Sequence, residues 1–215
     1  MEMGIETMEK ITEPSDEQVI GGILSGDTDQ FQTLLDRYQS YIFAIVRRYV
    51  PAQLVEDVAQ EVCIKLFRSL ELYQPQHTGK AGPEGNGTFK SWLATIAVRT
   101  SYDALRKMYR SSEVAISELT DNHSQWLDSL QSATSQEDFI QHSQAREAKE
   151  ILAQVMSKLS PEDQMVIRLV HFEGNSTAQA AKMLGWSPAN VKIRTFRARN
   201  KLQGLIRSLL GENVR

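Results

Sequence analysis

Glu56, Asp57 and Glu61 place three carboxylates within six residues, and Gly79-Lys80 sets a cation directly behind a glycine, in a stretch that holds four of the chain's twelve glycines. These are the two places where residue types and spacing could do chemistry. The first could contribute to a di-metal centre, and the second could cradle a phosphate on glycine amides with the Lys as counter-charge. Neither pattern completes. Carboxylates on facing helices hold two metals with Glu-x-x-His partners, and the chain has none. Ala81 stands where a phosphate loop needs Ser or Thr, no β-type run precedes it, and Gly85-Asn86-Gly87 opens no dinucleotide fingerprint. One cysteine, Cys63, excludes an internal disulfide, and four scattered histidines offer no zinc spacing. The expectation is a chain that is not an enzyme, with no metal, no cofactor and no small-molecule substrate.

Charge is more informative. A net charge of −3 argues at first against a nucleic-acid partner. The distribution reverses that. From Pro188 to Leu210 there are six basic residues (Lys192, Arg194, Arg197, Arg199, Lys201, Arg207) and no acid. From Gly87 to Arg110, Lys90, Arg99, Arg106, Lys107 and Arg110 face only Asp103. Between these basic segments, Ser111 to Ile140 carries six acids and no Lys or Arg.

The elements that must position these charges read as helices throughout, so the expected fold class is all-α. Phe31, Leu34, Leu35, Tyr38, Ile42, Ile45, Val46 and Tyr49 recur at three- and four-residue steps, with Pro51 as the stop. Leu54, Val55, Val58, Val62, Leu66 and Leu70 mark a second helix. Phe89, Trp92, Leu93, Ile96, Ala97, Leu105 and Met108 mark a third, with its basic residues off the apolar stripe. These make one helical unit over 18–110, after an N-terminal tail at 1–17 expected to be disordered. The segment 111–144 loses periodicity and has linker composition. A second small helical unit follows at 145–210. No run approaches the roughly 18 apolar residues of a membrane span and the N-terminus is acidic, so the expected location is the cytoplasm.

The second unit carries a strong helix start at Ser160-Pro161-Glu162-Asp163, with that helix ending near Gly174. Next come two helices in quick succession. Ser176 with Gln179 fits a capping box, Gly185 supplies a turn and Ser187-Pro188 opens a longer helix. Two helices joined this tightly make a helix-turn-helix, whose second member can enter the major groove of DNA. Val191, Thr195, Ala198 and Leu202 form its inward stripe, which leaves Asn190, Ile193, Arg194 and Arg197 as candidate readers of base edges. Ser187, Lys192 and Lys201 suit phosphate contacts. A plain solvated basic face fits the same pattern, and so does a stand-alone helix-turn-helix regulator.

Three motifs in order carry a resemblance that separates these. LVEDVAQEVCIKLFRSL (54–70), FKSWLATIAVRTSYDALRK (89–107) and LSPEDQMVIRLVHFEGNS followed by SPANVKIRTFRARNKL resemble regions 2.2, 2.3–2.4 and 4 of the small extracytoplasmic-function (ECF) sigma factors of bacterial RNA polymerase. The resemblance implies partners: core RNA polymerase through its β′ coiled coil and β flap, promoter DNA, and an anti-sigma factor. Asp57, Gln60, Glu61, Lys65 and Arg68 would meet the polymerase. Asn86, Phe89, Lys90, Arg99, Asp103 and Arg106 would hold the opened minus-ten strand. Ser187, Asn190, Lys192, Ile193, Arg194 and Arg197 would bind the minus-thirty-five duplex. Trp92 reads as core rather than base platform, and Phe89 fits either role. The glycine-rich segment 77–85 reads as an insertion beside the minus-ten pocket, or as a modifier of its base preference. The acidic linker fits a path through the polymerase and equally a plain tether. Ala178-Gln179-Ala180-Ala181 replaces the usual Glu-Ile-Ala, leaving Gln179 as the stand-in for that Glu.

Overall fold

The computed structural model describes residues 14–73, 88–111, 148 and 151–209, and among these every regular element is helical. The glycine-rich segment with Asn86 and the acidic linker lie outside the described residues.

Ser15 starts α1 (Asp16–Leu24) through a reciprocal capping box with Gln18, and Val19, Ile20 and Ile23 are its buried face. The helix therefore begins two residues inside the expected tail. The Ser-Asp-Glu-Gln start and an apolar i, i+1, i+4 set were sufficient to order it. Helix α2 (Gln30–Val46) buries Leu34, Ile42, Ile45 and Val46. It ends before Pro51, and Tyr49 and Val50 stay buried in the turn that follows. Helix α3 (Val55–Ser69) is flanked by single 3-10 turns and buries Val58, Ala59, Val62 and Leu66. Helix α4 (Phe89–Ser111) buries Phe89, Leu93, Ala97, Val98 and Leu105. Fully burying one such aliphatic side chain contributes roughly 1.5–3 kcal/mol.

In the second half, α5 (151–157) precedes α6 (Pro161–Ile167), which starts as expected with Ser160 accepting the Asp163 amide and Pro161 at the first position. The helix does not end there. It continues as a π-helical turn, Arg168–Phe172, and stops at Gly174 with φ 70°. The wider turn was not legible in the sequence, and such turns concentrate at functional places. Helices α7 (Thr177–Leu184) and α8 (Pro188–Leu209) complete the chain.

The two halves share one buried cluster that runs from Val19 to Ala198. Helix α4 is the common wall: it packs on α2 and α3 on one side and on α6 and α7 on the other. Beside that shared apolar cluster, polar contacts also cross between the halves. The Tyr49 hydroxyl donates to Glu173 at 2.6 Å, that of Tyr102 to Glu162 at 3.1 Å, and Gln164 Nε2 to the Tyr109 hydroxyl at 2.5 Å. Arg168, 4% exposed, donates from Nη1 to the carbonyls of Arg48 at 2.6 Å and Tyr49 at 3.0 Å.

Glu173 is a half-buried carboxyl at this junction. Burial pushes its carboxyl up, while the Tyr49 hydroxyl, the Arg48 guanidinium, the Asn175 amide and Arg168 oppose the shift in part. A carboxyl raised in the native state favours the fold most when protonated. That contribution is complete below the ordinary carboxylate range and is lost as pH rises through the raised value. Glu173→Gln keeps an acceptor for Tyr49 without the charge. Its melting temperature relative to the parent is expected to rise between pH 4 and pH 8, followed by circular dichroism; a flat difference would show that the carboxyl is not shifted.

Candidate nucleic-acid interface

Helix α8 is presented by the turn before it. Gly185 sits at φ 71° and ψ 30°, the left-handed conformation that glycine adopts without a Cβ penalty, and ends α7. The Trp186 amide closes onto the Ala181 carbonyl at 2.9 Å, and Ser187 Oγ accepts the Asn190 amide at 3.2 Å to start α8. Having accepted that amide, the Ser187 hydroxyl keeps its own proton to donate. Val191 and Ala198 are fully buried, and Thr195 and Leu202 half-buried, which is the expected inward stripe. Asn190, Lys192, Ile193, Arg197 and Lys201 stand in solvent.

Arg194 departs from that pattern. It is half-buried, paired with Asp163 of α6 at 3.3 Å, and its guanidinium lies 5.5 Å from the centre of the Trp186 ring. It is oriented by two neighbours rather than standing clear with the other three. The sequence reading passed over Phe196. At 64% exposed it is the most open large apolar side chain on α8, between Ile193 at 52% and Arg197. Its signal was legible: an aromatic out of phase with the inward stripe, on a helix whose neighbours are basic. Apolar groups on such a face can meet thymine methyls, as guanidinium groups meet guanine. Gln179 is committed to the α7 capping box, its Oε1 accepting the Ser176 amide at 2.7 Å, so it does not reach out as the missing Glu would.

On α4 the expected strand-binding residues separate. Phe89 is a correction: at 2% exposed it lies edge-on to Tyr38 and Tyr73, with ring centres 5.1 and 5.4 Å away, and packs on Trp92. It is a core residue because the first turn of α4 closes over α2. Lys90 is exposed and lies 4.7 Å above the Tyr41 ring, at a cleft of about 440 Å³ also lined by Lys182 of α7. Arg99 and Arg106 are exposed further along α4. Asp103 turns toward α3, where it meets Lys65 at 3.8 Å and lines a second groove with Asp57 and Glu61.

On α3, Asp57, Gln60, Glu61 and Arg68 are exposed, and Lys65 is half-buried between Glu61 at 2.9 Å and Asp103. Ile64 lies among them, 51% exposed, and was also missed. Like Phe196 it breaks phase with its helix's buried stripe. Phe67, 43% exposed, is braced edge-on by Phe31 at 4.9 Å. Charged residues around an apolar centre make a rim-and-core surface suited to a protein partner.

Comparison with known proteins identifies the family. Residues 34–111 match the family model described as Sigma-70 region 2, and residues 149–202 match that of Sigma-70, region 4. The ECF RNA polymerase sigma-E factor of Escherichia coli (strain K12) is 30% identical over 200 residues, which is 90% of this chain and 97% of that protein. That of Haemophilus influenzae (strain ATCC 51907 / DSM 11121 / KW20 / Rd) is 26% identical over 198 residues, 91% of this chain and 97% of that protein. A solved structure of the sigma factor RpoE in complex with the anti-sigma factor NepR from Bartonella quintana superposes with a TM-score of 0.51 at 21% identity. It covers 82% of this chain and 96% of that one, and the likeness is one of fold.

Proposed function

The chain belongs to the ECF group of the sigma-70 family of RNA polymerase sigma factors, and from that premise we propose how its surfaces divide the work of directing promoter-specific transcription initiation. The observation that carries the proposal is the pairing of two out-of-phase faces. One is the basic face of α8 with Ile193 and Phe196 exposed, and the other is the α3 face with Ile64 exposed inside a ring of charge. A DNA-binding protein acting alone has use only for the first.

The unit at 18–110, extended to Asp16, serves as region 2, and the unit at 145–210 serves as region 4. The α3 face docks on core RNA polymerase, with Ile64 as the desolvated centre and Asp57, Gln60, Glu61 and Arg68 as the rim. Helix α8 enters the major groove at the minus-thirty-five element. Asn190, Ile193, Phe196 and Arg197 face base edges, Ser187 and Lys192 meet phosphates, and Arg194 is held by Asp163 in the orientation it needs. Lys90, Arg99 and Arg106 follow the backbone of the opened minus-ten strand, with Asn86 at its pocket. Asp103 joins the polymerase side, since it pairs with Lys65. The protein works in the cytoplasm as an initiation factor without catalytic chemistry of its own. By likeness to the solved complex, an anti-sigma factor holds it in check.

Run-off transcription with core polymerase on fragmented genomic DNA is expected to show new start sites sharing paired upstream elements; no new starts with an active core enzyme would overturn the reading. Arg197→Ala and Phe196→Ala should each cost about 1–3 kcal/mol on the preferred minus-thirty-five sequence and relax the choice at one position. Lys192→Ala should weaken all promoters alike and lower the salt slope by about one. Uniform loss in all three variants would erase the distinction between readers and anchors. Ile64→Ala should weaken core binding by more than about 1 kcal/mol, while Gln60→Ala at the rim changes it little. Equal effects, measured by polymerase titration, would remove Ile64 from the centre.

A further inference from the structure

The cleft between α4 and α7, about 440 Å³, has the size of a small-molecule site. Two cations line it from opposite walls, Lys90 on α4 and Lys182 on α7, and among the described residues no carboxylate lines it. Elsewhere the surface pairs its cations: Arg37 with Asp16, Lys65 with Glu61 and Arg194 with Asp163. Lys90 and Lys182 make no ion pair with a described residue. Glu173, the acid nearby, is turned to the Tyr49 hydroxyl and the Asn175 amide instead. A cleft lined by one sign of charge focuses the field and concentrates counter-ions. In a chain with a net charge of −3 that attraction for anions is local.

Each cation is placed by a contact of its own. Lys90 lies 4.7 Å above the Tyr41 ring, a cation–π contact that keeps its ammonium at the cleft. Lys182 is fixed through its backbone. Arg99, on α4, donates from Nη2 to the Lys182 carbonyl at 2.9 Å and from Nε to the Met183 carbonyl at 3.0 Å. Those bonds tie α4 to α7 one turn past Thr95 and end the cleft there. Ser91 supplies a hydroxyl: Thr88 takes its amide, while its Oγ bonds to no described residue. Between the polar groups the lining is apolar, with Ala94 buried, Met183 half-buried and Ala178 in solvent at the edge.

We propose that this cleft binds a phosphorylated organic ligand of about nucleotide size. Lys90, Lys182 and Ser91 hold its phosphate groups, and Tyr41 and Met183 pack on its organic part. The lining selects that class. Ammonium groups and a hydroxyl donor suit phosphate oxygens, and two cations are neutralised together by a ligand that carries two or more charges. An inorganic anion would leave the apolar lining in water. A nucleic-acid strand needs a track open at both ends, and Arg99 closes one of them. On the sigma-factor reading, Lys90 serves the opened strand only while the cleft is empty; the binding itself does not rest on that reading.

The test is titration calorimetry of the full chain with ATP, without polymerase or promoter, so that it stands apart from the outcome of run-off transcription. ATP is expected to bind at one site with a Kd below about 1 mM. Pyrophosphate should bind about tenfold more weakly, and adenosine should give no signal. Lys90→Gln and Lys182→Gln should each weaken ATP about tenfold, the lower end of what a hydrogen bond to a charged group returns. Ala178→Glu should abolish binding by setting a carboxylate in the cleft. A Glu in the first turn of α7 suits the helix dipole, so the helical signal should stay unchanged. The double variant Arg199→Gln, Arg207→Gln removes two charges from exposed positions on α8 and should bind ATP like the parent. No saturable binding at millimolar ATP, or equal loss in the α8 double variant, would overturn the site. Pyrophosphate that matches ATP would overturn the organic ligand. A short single-stranded oligonucleotide that displaces ATP and binds more tightly would give the two lysines to nucleic acid and overturn the small-ligand assignment.

Discussion

Helix α4 has to satisfy two sets of neighbours with one surface. Phe89, Leu93, Ala97 and Leu105 are spent on the first half, where they close over α2 and α3. Toward the second half it adds to the shared apolar cluster Arg99, Tyr102 and Tyr109, side chains with an apolar body and a polar tip. The remainder of the architecture follows from that allocation. Helix α6 must bring Glu162, Gln164 and Arg168 opposite these tips, and α7 must offer its carbonyl end to Arg99. The π-helical turn makes this possible, since a wider turn lets Arg168 and Glu173 face the Arg48–Tyr49 segment together. A continuous α-helix would carry one of them away.

The two contact surfaces follow one physical rule. In each, a helix buries a regular stripe and then shows an apolar side chain where its periodicity asks for a polar one: Ile64 on α3, and Ile193 and Phe196 on α8. A large apolar group left in water is tolerable singly, but here each is ringed by charge in a pattern that suits desolvation by a partner. On α8 that charge is wholly positive apart from the Asp163 pairing of Arg194, as befits a polyanion. On α3 it is mixed, with Lys65 bridging Glu61 and Asp103. The proposed division between a duplex-facing α8 and a protein-facing α3 rests on that difference.

Much of this was legible in the chain. The capping signals at Ser160, Ser176 and Ser187 each produced the helix start that they announce, because a cap is a local interaction and needs no knowledge of tertiary structure. The inward stripe of α8 was equally local. The sequence reading lost force where the deciding neighbour is distant. Phe89 could not be recognised as core until Tyr38 and Tyr73 were seen around it, and Arg194 could not be recognised as oriented until Asp163 was beside it. Nothing in the spacing of Arg168 or Glu173 foretells partners 119 to 124 positions upstream. Ile64 and Phe196 are a different case: their signal was present as a break in phase, and periodicity alone gives no reason to weigh an exception.

The separation of the junction partners along the chain also orders events during synthesis. Helix α4 is complete at Ser111, but Glu162, Arg168 and Glu173 leave the ribosome some fifty to sixty residues later, a delay of several seconds at about 5–20 residues per second. For that interval the nascent first half carries an uncovered flank. An aliphatic flank would be an invitation to aggregation or chaperone capture. A flank whose apolar part is interrupted by the polar tips of Tyr49, Tyr102, Tyr109 and Arg99 can hold water at those tips until its partner arrives.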